Sequence, residues 1–64
     1  MASFDDLAND VAALESRVSE MIFETVREQL RGDATGAQQL ERQLARVRRS
    51  LVKAEVVLRS LGSD

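Results

Sequence analysis

Sixty-four residues with a net charge of −2 and 31% charged side chains fall below the roughly 70–80 at which one hydrophobic core usually suffices. The chain has no cysteine, histidine or proline, and its aromatics are two phenylalanines. That excludes disulfide staples, thiol nucleophiles, Ser–His triads and the common zinc sites. What remains, rich in Ala, Leu, Val, Arg, Glu and Gln, is the composition of long amphipathic helices.

Ser3 followed by Asp6 forms an acidic capping box, and Asp5 and Asp6 sit where a helix dipole favours acids. From there apolar residues recur at steps of three and four: Phe4, Leu7, Val11, Leu14, Val18, Met21. This spacing predicts a heptad seam. Beyond Val18 the set continues as Ile22, Val26 and Leu30, and that change of step reads as a stutter. Arg31-Gly32-Asp33-Ala34-Thr35-Gly36 breaks the pattern. Gly32 suits the left-handed residue after a helix, and Thr35 with Gln38 is a second capping-box pattern. Leu40, Leu44, Val47, Leu51, Ala54, Leu58 and Leu61 then fill seven successive seam positions, and Gly62 marks the stop. The predicted organisation is one domain over 1–64, with a helix at 4–31, a turn at 32–36 and a helix at 37–61.

The two seams fit each other. In an antiparallel hairpin, facing residues lie symmetrically about the turn. Leu7 with Leu61, Leu14 with Ala54, Met21 with Val47, Val11 with Leu58 and Val18 with Leu51 all centre on Ala34. The expected fold is all-α: two long helices in an antiparallel coiled-coil hairpin. Apolar residues off the seam, Ile22, Phe23, Val26, Leu30, Val52 and Val56 with Val57, form a candidate partner surface. A homodimeric four-helix bundle is the simplest way to cover them, and docking on a larger partner is the alternative.

Charge divides unevenly. Residues 1–31 carry seven acids against three arginines, a balance of −4, while residues 32–64 carry six bases against four acids, a balance of +2. Such helices favour each other across a hairpin or a dimer. Arg42, Arg46, Arg49 and Lys53 share one face of the second helix, with Arg48 beside them. An uninterrupted basic row is a candidate phosphate-tracking face for RNA or DNA. A solvated outer face, or a partner for acids on another chain, is the other explanation. The net negative charge and the lack of Tyr and Trp for base stacking favour those readings.

Ala34-Thr35-Gly36, Val47-Arg48-Arg49 and Val57-Leu58-Arg59 resemble the second half of the bacterial large-subunit ribosomal protein L-twenty-nine family. Leu44 and Leu51 fall where that family carries isoleucine. The resemblance implies a two-helix hairpin that binds ribosomal RNA near the peptide-tunnel exit, with Arg48 and Arg49 as phosphate contacts. It covers about 27 residues, and Glu55 stands where the family usually has lysine. In length and architecture the chain is also similar to small plasmid-copy-control hairpins that dimerise and bind paired RNA loops.

The functional expectation is a non-enzymatic assembly module that associates with itself or joins a larger complex, with RNA binding as the alternative. No catalytic residue, cofactor, metal or small-molecule substrate is expected, because two helices cannot enclose a cavity of ~300 Å³. The acidic start, Met1-Ala2-Ser3-Phe4-Asp5-Asp6, does not read as a secretion signal. Apolar runs of three residues fall far short of a membrane span. A cytoplasmic protein is the expectation.

Overall fold

Ser3 opens the first helix through a reciprocal cap. Its Oγ accepts from Asp6 N–H at 3.1 Å, and its own N–H donates to Asp6 Oδ2 at 3.2 Å. Two of the backbone donors orphaned at a helix start are thereby satisfied. In the computed structural model, which describes residues 3–32 and 36–63, helix α1 runs Phe4–Leu30 and helix α2 runs Ala37–Gly62. Both helix starts match the predicted ones, and each helix end differs from its prediction by a single residue. The chain is an all-α helical hairpin.

Two glycines shape the connection. Gly32 follows the C-cap Arg31 at φ +95°, and Gly36 precedes α2 at φ +83°. Both conformations cost any residue with a Cβ. Gly36 is the N-cap of α2; among the described residues no side chain caps this helix, and Leu40 N–H donates to Gly36 O at 2.9 Å. Asp33, Ala34 and Thr35, at the middle of the predicted turn, lie outside the described residues.

Cross-helix hydrogen bonds set the register. Gln29 Nε2 donates to Glu41 Oε2 at 2.8 Å, Arg48 Nε to Ser19 Oγ at 2.9 Å, and Arg59 Nη2 to Asn9 Oδ1 at 3.3 Å. At the open end, a Cβ added to Gly62 would stand 3.4 Å from Phe4 Cβ. Each of these pairs centres within about one residue of position 34, as heptad pairing predicts.

Burial shows which faces meet. In α1 the least exposed residues are Ala8, Val11, Ala12, Glu15, Val18, Ser19, Ile22, Thr25, Val26 and Gln29. In α2 they are Ala37, Glu41, Leu44, Ala45, Leu51, Val52, Glu55 and Leu58. Ala8, Glu15, Ile22 and Gln29 form an unbroken seven-residue row, so no stutter interrupts α1.

This corrects the predicted seam. Val11, Val18, Leu44, Leu51 and Leu58 belong to it. Leu7, Leu14, Met21, Leu40, Val47 and Leu61 do not: they are between 44% and 57% exposed, and Ala54 is exposed too. Ile22, Val26 and Val52, expected on a partner surface, are half-buried in the hairpin instead. Each helix is turned about one position from the arrangement that large apolar side chains suggested. Ala8, Ala12, Ser19, Ala37 and Ala45 explain the turn, because small residues on facing helices leave room for the β-branched Val11, Val18, Ile22, Val26 and Val52 to interleave.

The result is a rod of 50 × 15 × 12 Å. Its radius of gyration is 14.8 Å, against about 11 Å for a compact 64-residue domain. Ala8 and Ala37 are the buried apolar residues among those described, and no large side chain there is fully enclosed.

Candidate assembly surface and basic ridge

Leu7, Leu14 and Met21 each sit one position before the facing row of α1. Leu40, Val47, Ala54 and Leu61 hold the same place in α2. Antiparallel helices are related by a two-fold axis across the pair, which puts these two rows on one side of the hairpin. Phe4 and the half-buried Val11, Val18, Leu44, Leu51 and Leu58 complete that side. It is a single apolar face along the whole rod.

The solvent-accessible surface measures the consequence. The chain exposes 5068 Å², whereas a compact monomer of 7.1 kDa exposes about 4,100 Å². The surplus of roughly 1,000 Å² is comparable with the ~800 Å² each partner contributes to a standard interface. Other large apolar residues predicted for a partner surface, Phe23 at 68%, Leu30 at 82% and Val56 at 62% exposed, stand apart from this face. Isolated exposed apolar residues of that kind are ordinary.

The basic residues lie elsewhere. Arg42, Arg46, Arg49 and Lys53 are all exposed, on the side of α2 turned away from the apolar face. Among the described residues, none of the four makes an ion pair; the ion pairs found there are Arg27–Glu24 at 3.2 Å and Arg59–Glu55 at 2.8 Å. Arg46, Arg48, Arg49, Ser50, Val52 and Lys53 line an open groove along the helix surface. Arg48, exposed beside the basic row, also donates its Nε to Ser19 Oγ at 2.9 Å across the hairpin.

The seam itself carries polar groups that hydrophobic periodicity missed. Thr25 is buried, and its Oγ1 donates to Met21 O at 2.9 Å, which satisfies it within its own helix. Glu15 and Glu55 face each other from opposite helices. The Glu15 carboxyl is held above its ordinary pKa, first by the hydrogen bond it shares with Glu55, then by burial and the Glu55 charge; Arg48 and Arg59 pull the other way. The Glu55 carboxyl is held below its ordinary value by hydrogen bonds with Glu15 and Arg59. Arg59 Nε donates to Glu55 Oε2 at 2.8 Å while its Nη2 reaches Asn9. A signal existed: Glu15 lies seven residues from both Ala8 and Ile22, in the row that faces α2.

Among the described residues, no three acidic side chains gather to hold a metal ion. No helix among them is long and apolar enough to cross a membrane. No protein-family model, curated protein or solved structure matches the chain.

Proposed function

We propose that this hairpin is an assembly module that pairs with a second copy of itself through the face of Leu7, Leu14, Met21, Leu40, Val47 and Leu61. The observation that carries this reading is the continuous row of half-exposed large apolar side chains, on a chain with almost no enclosed core. Covering that face completes a four-helix bundle, the standard solution for helices with a second apolar stripe. Charge favours an arrangement in which α1, the acidic helix, lies against α2 of the second copy, the basic one. All neighbouring helices are then antiparallel.

Sedimentation equilibrium at micromolar concentration tests this. A mass of twice 7.1 kDa is expected, reverting to one chain in Leu14→Glu and Val47→Glu. Phe23→Glu and Leu30→Glu should remain dimeric. A cooperatively folded monomer at tens of micromolar would sink the reading, as would dissociation by the Phe23 and Leu30 variants alone.

A second reading, RNA binding, rests on the exposure of Arg42, Arg46, Arg49 and Lys53 and on the ribosomal-family resemblance of this half. The ridge points away from the apolar face, so both properties fit on one molecule. Phosphate-led binding weakens steeply with salt. Unchanged RNA affinity in the Arg46→Glu, Arg49→Glu double variant would exclude it.

A further inference from the structure

Between Asn9 and Ser19 the hairpin holds a cluster of polar groups that the proposed pairing does not use. Asn9, Glu15 and Ser19 come from α1; Arg48, Glu55 and Arg59 come from α2. Arg59 bridges Asn9 and Glu55, and Arg48 reaches Ser19. One member is unsatisfied: Glu15 Oε2 is buried without a hydrogen-bond partner. A buried carboxylate oxygen facing a second carboxylate has two ways to be stabilised, a cation or a proton. Arg48 Nε donates to Ser19 and Arg59 to Asn9 and Glu55, and neither guanidinium hydrogen-bonds Glu15 Oε2.

We infer that Glu15 and Glu55 form a proton-sharing clamp: a neutral Glu15 donates its O–H to the Glu55 carboxylate, and loss of that proton loosens the hairpin. Glu55 is the ionised member because Arg59 Nε already donates to it at 2.8 Å. Raising the pH moves the Glu15 proton to water and leaves two facing carboxylates with no hydrogen between them. The charged groups facing Glu15 are Glu55, Arg48 and Arg59, all from α2. Its neighbours one turn away on α1, Val11, Ala12, Val18 and Ser19, carry no charge.

The direction of the pH effect follows from the two carboxyls separately. Glu15 titrates above its ordinary value of 4.5 in the folded chain. Its contribution is therefore full at low pH and is lost as pH rises through the raised value. Glu55 titrates below 4.5, so its contribution is full above that value and is lost on acidification through the lowered one. The clamp is strongest near the ordinary carboxylate range and opens on either side.

Urea unfolding of the full chain between about pH 4.5 and 8 tests it, at one protein concentration and again at ten times that concentration. The unfolding midpoint of the unaltered chain should fall as pH rises. Glu15→Gln should flatten that dependence, since its amide donates to Glu55 at every pH, and should exceed the unaltered chain in midpoint at pH 8. Glu24→Gln, at an exposed ion pair, should keep the original slope. An unchanged slope in Glu15→Gln would overturn the clamp. Should that variant fail to fold, a side-chain carboxyl NMR titration of the unaltered chain decides: Glu15 titrating above the other glutamates supports the clamp, and Glu15 titrating with them overturns it.

Discussion

The two sides of the hairpin contrast sharply. On one side, Asn9 with Arg59 and Ser19 with Arg48 bridge the helices through side-chain hydrogen bonds. On the other, Leu7, Leu14 and Met21 line up with Leu40, Val47 and Leu61, all about half-exposed. The first side finishes its interactions within the chain. The second presents apolar surface along the length of the rod and completes nothing. Hydrogen bonds can be closed by two helices alone, whereas an apolar stripe on the flank of a helix pair needs a third element to cover it.

The largest effect should separate the seam from the open face. Leu51→Asp puts a carboxylate into the seam and should cost on the order of 3 kcal/mol or more, unfolding the chain in circular dichroism at every concentration. Leu14→Asp should instead remove only the concentration-dependent part of the stability. Equal losses at all concentrations would erase the distinction between the two faces.

Ala8→Leu comes next. Ala8 has no exposed surface, so a larger side chain there must push α1 from α2, at about 1–3 kcal/mol. A neutral or stabilising result in thermal unfolding would mean that the helices do not meet along the small residues. Ser3→Ala removes one half of the cap and should cost about 1 kcal/mol, with fraying of the first turn visible in amide exchange. Smallest is Arg46→Ala, on the exposed ridge, which should stay within about 0.5 kcal/mol of the parent.

Much of this was legible in the chain itself. Ser3 with Asp6 gave the start of α1, Gly32 its end, and heptad spacing gave the antiparallel register about position 34. The inward faces were not legible. Leu7, Leu14 and Met21 keep heptad spacing just as Ala8, Glu15 and Ile22 do, one position away. Hydrophobicity ranks the first row higher, and the structure buries the second. Glu15 and Glu55 were passed over for the same reason, since a carboxyl in a seam row reads as a solvated residue until its partner is placed opposite.

The sequence by itself determined two helices, their lengths, their connection and their pairing register, because capping, glycine conformation and periodicity act within a few residues or along one helix. Only the tertiary structure decided how each helix is rotated about its own axis. That choice depends on which side chains interleave at close approach, where alanine and serine admit a neighbouring helix that leucine and methionine hold off. The same rotation brought Glu15 against Glu55 and left the leucine rows half-exposed along one side of the rod.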